Sequence, residues 1–182
     1  VLLVVPTFHY ADAYPTFLSF SDFSVGLGYL ASALKQEGHE VVGLNPNNIV
    51  GYVNAETMLK DVLTKKMAQV KPELIGLGGL CTDYKFLKDA IGIIRGVDDK
   101  IPVVLGGQIV TNDGEDVFNL LKPDYAIVGE GEEVMVRLVN FLQNPTIATE
   151  DGSVGLKGNV LDLLTRDGAL STIPNLWYWR EE

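Results

Sequence analysis

Few residues of this chain are of types that do chemistry outright. One thiol, Cys81, and two imidazoles, His9 and His39, stand among 24 carboxylates. A thiol attacks only when a base or cation lowers its pKa. The stretch "GGLCTD" (78–83) offers Cys81 no such partner, so it reads as a small residue packed beside a ligand. No Ser/His/Asp or Cys/His set stands out, and the G-x-S-x-G elbow and the G-x-x-x-x-G-K-[ST] phosphate loop are both absent. "GLGYLA" (26–31) satisfies G-x-G-x-x-A, but it lies well past the first strand and inside a helical pattern, where small residues serve close helix–sheet packing. Clustered Asp residues after strand 1, as in a phospho-receiver, are missing; only Asp12 is near. His39 reads as a structural surface residue. What remains is glycine beside carboxylate. "DYAIVGEGEE" (124–133) is an apolar strand that exits into Gly-Glu-Gly-Glu, and "GGLCTD" and "GGQIVTNDG" (106–114) repeat the glycines at two other exits. Glycine lets backbone approach a ligand closely, while the acids repel a bare phosphate.

The bulk numbers narrow the field. A chain of 182 residues, 47% hydrophobic and 21% charged, builds one large domain or a domain with an appendage. Its formal charge of -10 argues against nucleic acid as a partner, because phosphate binding needs clustered Lys and Arg. No apolar run approaches the roughly 20 residues of a membrane helix. A single Cys excludes an internal disulfide and an iron–sulfur cluster held by this chain alone, and it suits a cytoplasmic location. The chain opens on "VLLVV" without an initiator Met, as expected of a piece of a longer protein.

The elements that must position these residues alternate. Strand-like runs fall at 1–5, 41–44, 74–80, 102–107 and 125–131. Helical periodicity fills 25–40, 55–70, 84–97, 114–122 and 132–144, with Gly38 as a C-cap glycine and Pro72 closing the second helix. The strands are continuously apolar, as in a parallel sheet covered on both faces. The predicted fold is therefore α/β: a doubly wound, five-stranded parallel sheet, flavodoxin-like or Rossmann-like, in order 2-1-3-4-5 with helices on both faces. Residues 1–144 form the predicted domain and 145–182 an extension or linker, in which Leu176 to Trp179 reads as an extra edge strand or a linker. If that stretch is extended, Trp177 and Trp179 share a side. Ligands of such sheets bind beyond the carboxyl ends of the strands. The loop after strand 1, residues 6–23, is far longer than the usual roughly 2–6 residues.

Taken together, these exits resemble a known family. "FSVGLGYLASALKQEGHEV" (23–41), "PELIGLGGLCT" (72–82), "IPVVLGGQIVT" (101–111) and "PDYAIVGEGEE" (123–133) are similar to the N-terminal cobalamin (B12)-binding domain of cobalamin-dependent radical S-adenosylmethionine (SAM) enzymes. The likeness spans roughly residues 1–144, and the last two motifs at this spacing carry most of it.

The resemblance implies that cobalamin is the cofactor, a corrin disc whose nucleotide tail slides between sheet and helices. Gly106, Gly107 and Gln108 would give the tail room; Leu80, Cys81 and Thr82 would line the same slot; Gly129, Glu130 and Gly131 would turn near it. Glu130 and Glu132 would accept hydrogen bonds from corrin amides or complement the helix that starts there, and capping is the reading preferred for Glu132. Thr7, Phe8 and His9 would lie near the corrin face, as would Tyr10, Tyr14 and Phe17. His9 stands where the D-x-H-x-x-G motif of other cobalamin domains places a lower cobalt ligand, but Thr7 replaces the Asp and Asp12 the Gly. The resemblance further implies a parent enzyme of the methyltransferase type. Its [4Fe–4S] cluster and SAM would sit in a radical SAM domain absent from this chain, which would be non-catalytic alone. A stand-alone corrinoid carrier, and a nucleotide-using enzyme on a flavodoxin-like sheet, remain the alternatives.

Overall fold

A computed structural model describes residues 1–7, 24–143 and 166–179. The strands are β1 (Leu2–Val4), β2 (Val42–Leu44), β3 (Ile75–Gly78), β4 (Val103–Gly106), β5 (Tyr125–Ile127) and β6 (Leu176–Tyr178). The helices are α1 (Val25–Gln36), α2 (Ala55–Val70), α3 (Tyr84–Val97), α4 (Gln108–Leu121), α5 (Glu132–Gln143) and a short α6 (Arg166–Leu170). Pro46–Asn48 and Cys81–Asp83 form single 3-10 turns.

The sheet order is β2-β1-β3-β4-β5-β6. β1 to β5 are mutually parallel in the expected 2-1-3-4-5 order. β6 adds a sixth strand, antiparallel to β5, with Ala126 opposite Trp177. Leu176–Tyr178 therefore takes the edge-strand alternative. Leu170, Ile173 and Leu176 are buried on the face that α5 covers.

Strand residues alternate between two cores. Leu2, Val4, Ile75, Leu77, Val103, Leu105 and Ala126 pack with α2, α3 and α4. Leu3, Val104, Tyr125 and Ile127 pack on the opposite face with Leu34 of α1 and Val134, Met135, Leu138 and Val139 of α5. Burial on both sides is why these strands lack apolar–polar alternation.

Local signals fix the helix ends. Ser24 caps α1 and Asn54 caps α2, whose Oδ1 accepts from Thr57 N–H at 2.8 Å. α1 ends in a Schellman motif at Gln36, short of the predicted residue 40. Gly38 (φ 86) donates to Lys35 O, and His39 N–H to Leu34 O, at 3.1 and 3.0 Å. The largest departure is α4, which starts at Gln108 rather than 114. The segment "GGQIVTNDG" is thus no loop beyond Gly107. Its first turns are held by buried Ile109 and Val110, and the polar run only kinks the helix at Asp113 (φ -127, ψ 33).

Candidate functional site

A cavity of about 780 Å³ opens at the carboxyl ends of β1, β3, β4 and β5 and descends between the sheet and helices α1 and α5. Leu3, Val104 and Ile127 form its sheet wall; Leu27, Leu30 and Met135 form its helix wall. The slot exists because side chains are missing on one face. Alternation along the strands puts Gly76, Gly78 and Gly106 on the same side as Leu3 and Val104, toward α1 and α5. At Gly76 an added Cβ would meet Leu3 Cδ2 at 2.6 Å and Met135 Cε at 3.4 Å, so this glycine sets the close packing at the bottom. At Gly106 the nearest atom to an added Cβ is Ile127 O, at 3.9 Å, so the space above it is open.

The exits of β3 and β4 pack backbone on backbone. Gly107 has φ +87, and a Cβ there would fall 2.9 Å from both N and O of Gly79. Only glycine fits that conformation and that approach. Ile109 N–H then donates to Gly79 O at 3.1 Å. The Thr111 hydroxyl donates to Gly107 O at 3.3 Å and accepts from Gly129 N–H at 3.1 Å. Also at the β3 exit, Asp83 accepts from Leu80 N–H at 2.8 Å and shapes the 3-10 turn.

Of the residues singled out from sequence, Thr7, Leu80, Thr82, Gly106, Gly107, Gln108, Gly129, Glu130 and Gly131 all line the cavity. Cys81 does not. It is exposed, and the 3-10 turn points its thiol at Asp113, Sγ to Oδ2 3.2 Å. That hydrogen bond, with a smaller contribution from desolvation, raises the thiol pKa above its ordinary value, the opposite of activation. Glu132 lies in the first turn of α5 and lines the cavity, where a carboxylate complements the helix dipole. His39 is half-buried in the α1 cap, away from the cavity, with Nε2 enclosed and unpartnered among the described residues. Phe8, His9, Tyr10, Asp12, Tyr14 and Phe17 lie outside the described residues.

Sequence reasoning missed Asn47, Ser24, Gly26 and the apolar wall. Asn47 is buried at the exit of β2, where its Nδ2 donates to Pro6 O at 2.9 Å and to Asn45 Oδ1 at 2.8 Å. The polar run "NPNN" directly after a strand was the available signal.

Chemically, the slot is apolar with a few polar points. Thr7 borders the cavity and is only 9% exposed, and its hydroxyl is enclosed without a hydrogen-bond partner among the described residues. A buried hydroxyl in that state is costly unless something supplies a partner. Among the described residues the charged ones in the lining are Asp83, Glu130 and Glu132, all acidic. An anion is poorly served; a large neutral ligand fringed with amides fits, with carboxylates to accept from it and glycine backbone to lie against.

Among the described residues no helix is long and apolar enough to cross a membrane. Two solved structures share the fold. One is the radical S-adenosylmethionine methyltransferase TsrM from Kitasatospora setae with tryptophan substrate and a SAM analog bound, at TM-score 0.61 and 24% identity over 83% of this chain. The other is TsrM with cobalamin and a [4Fe-4S] cluster bound, at TM-score 0.56 and 23% identity, also over 83%. The match takes in only 28% and 29% of those chains. No curated protein matches the sequence. The family model described as B12 binding domain matches residues 23–139, which takes in β2 to β5, helices α1 to α4 and the first two turns of α5. This chain belongs to the B12-binding domain family, and cobalamin is its cofactor.

Proposed function

We propose that the chain is the cobalamin-binding module of a radical SAM enzyme of the methyltransferase type. It holds the corrin over the carboxyl ends of β1, β3, β4 and β5, with the nucleotide tail in the slot between sheet and α1/α5. The observation that carries this reading is the glycine-floored cavity of about 780 Å³ at the carboxyl ends of the parallel strands. Gly106, Gly107 and Gln108 present backbone to the tail, Leu80 and Thr82 border it, and Gly129, Glu130 and Gly131 close the adjacent turn. Thr7 borders the ligand, and Phe8 and His9, which lie outside the described residues, are further corrinoid-binding candidates, His9 as the candidate lower cobalt ligand. When bound, cobalamin supplies methyl-transfer chemistry; this chain's residues bind it, orient it and keep water from the buried tail.

The [4Fe–4S] cluster and SAM belong, on this reading, to a separate catalytic domain of a cytoplasmic parent protein, since Cys81 is the one cysteine here. That domain and the corrinoid are the partners proposed. The likeness to TsrM, of which this fold covers under a third, supports the arrangement.

The test is retention of hydroxocobalamin on a desalting column, read by the visible spectrum of the protein fraction. Gly106→Leu is the blocking variant, because its Cβ has room while the longer side chain enters the slot. Gly107→Trp is unsuitable, because any Cβ there meets the Gly79 backbone. Corrin absorbance retained by the wild type and lost in Gly106→Leu is the expected result. A colourless wild type, or a Gly106→Leu protein as coloured as the wild type, overturns the placement.

A further inference from the structure

Three glycine exits border the cavity, and strand pairing alone does not fix their spacing. The β3–β4 ladder ends at Gly78 and Gly106 and the β4–β5 ladder at Leu105 and Ala126, and past Ile127 the β5 exit bonds on its β6 side, Val128 N–H to Asn175 O at 3.0 Å, rather than to β4. The first turns of α4, before the kink at Asp113, bridge that gap. On one side Ile109 N–H bonds Gly79 O at 3.1 Å, tying the β4 exit to the β3 exit. On the other side the Thr111 hydroxyl makes the link. It donates to Gly107 O at 3.3 Å and accepts the Gly129 N–H at 3.1 Å, across 18 residues of sequence. Gly129 has φ +77 and open space where a Cβ would be, so sterics alone do not hold it. Its amide is held by one side-chain oxygen.

We infer that Thr111 is a positioning residue for the corrinoid: its hydroxyl sets the separation of the β4 and β5 exits and so the width of the slot. This rests on the reading of the cavity as the corrinoid site. Thr111 is itself exposed and absent from the cavity lining, so its effect passes through Gly107 and Gly129. A hydroxyl that both donates and accepts is what the geometry uses. Serine keeps both roles; valine keeps the shape and loses both.

The experiment has two readouts on the wild type, Thr111→Val and Thr111→Ser. Hydrogen exchange of the Gly129 amide in the ligand-free chain reports the bridge itself. Titration with hydroxocobalamin, followed by quenching of tryptophan fluorescence, reports positioning. Thr111→Val is expected to speed Gly129 exchange and to weaken binding by about fivefold, the effect of one lost hydrogen bond, with its melting temperature close to the wild type's. Thr111→Ser is expected to restore both. Unchanged Gly129 exchange in Thr111→Val overturns the bridge, and unchanged affinity overturns the positioning role. A Thr111→Ser protein as impaired as Thr111→Val makes the effect one of packing. A wild type that binds no hydroxocobalamin overturns the cavity reading and the positioning role with it, while the exchange data still decide the bridge.

Discussion

Arg95 and Asp124 meet at the base of the sheet, Nη2 to Oδ2 2.7 Å, at the end of the strands remote from the cavity. The same carboxylate oxygen accepts Val103 N–H at 2.6 Å, and Arg95 Nη1 donates to Ile101 O at 3.0 Å. The aspartate of the "PDY" stretch therefore ties the end of α3 to the starts of β4 and β5, and its role is structural. Both side chains are partly exposed, so solvent screens the pair. Asp124→Asn is expected to cost about 1–2 kcal/mol, read as a fall in melting temperature of about 3–6 °C. Corrinoid affinity should not move. A loss of affinity at unchanged stability would contradict this division between the two ends of the sheet.

Thr7→Val should move stability and binding in opposite directions. The wild-type hydroxyl is enclosed without a hydrogen-bond partner among the described residues, and such a group costs about 1–3 kcal/mol. Valine removes that cost at nearly the same volume. The ligand-free variant should melt a few degrees higher than the wild type and bind hydroxocobalamin several-fold more weakly. Calorimetry of both forms, with and without ligand, checks it; a ligand-free variant that melts lower disproves it.

Cys81 should behave as a sluggish thiol. Its hydrogen bond to Asp113 raises its pKa, so it stays protonated at neutral pH. A thiol whose pKa rises on folding adds stability below its unfolded pKa and loses that contribution as pH climbs through the folded value. The contribution is thus present at neutral pH and fades on the alkaline side. Alkylation by iodoacetamide followed from pH 7 to 10 should run slower than for a free peptide thiol, and Asp113→Asn should speed it. Equal rates in the two proteins would show that the carboxylate does not hold the proton.

The edge strand is clamped by aromatic rings. Trp179 stacks on Phe118 with centroids 4.5 Å apart and donates Nε1–H to Pro123 O at 2.8 Å, and Trp177 meets the same ring edge-on at 6.1 Å. Trp179→Ala should cost about 1–3 kcal/mol through the lost stacking, burial and hydrogen bond. Limited proteolysis should then cut near residues 176–179 before the rest of the sheet is attacked. A variant as resistant as the wild type would mean that Leu176 and Ile173 hold β6 without the clamp.

The strand order was readable because each strand is a short apolar run and each crossover a periodic helix. The start of α4 was not. Asn112, Asp113 and Gly114 look like a turn, yet tertiary contacts at Ile109 and Val110 carry the helix through them. Their spacing from Val117 and Phe118, two helical turns, was the signal available. At the site, glycine exits announced themselves because strand ends are local features. The wall formed by Leu27, Leu30 and Met135 did not, since periodicity marks only an apolar face and not whether that face meets side chains or a slot. For Cys81 the strand exit names the neighbourhood, while the 3-10 turn chooses the direction of the thiol, toward Asp113.

β6 runs against its neighbours, and that reversal has a consequence for the two ends of the sheet. The parallel strands all point toward the cavity, whereas β6 carries the backbone back down to Trp179, beside Pro123, at the opposite pole. The aromatic clamp and the ligand mouth therefore lie at opposite ends of the sheet, so a change at Trp179 or Phe118 reaches the slot only along the length of β5 and α4.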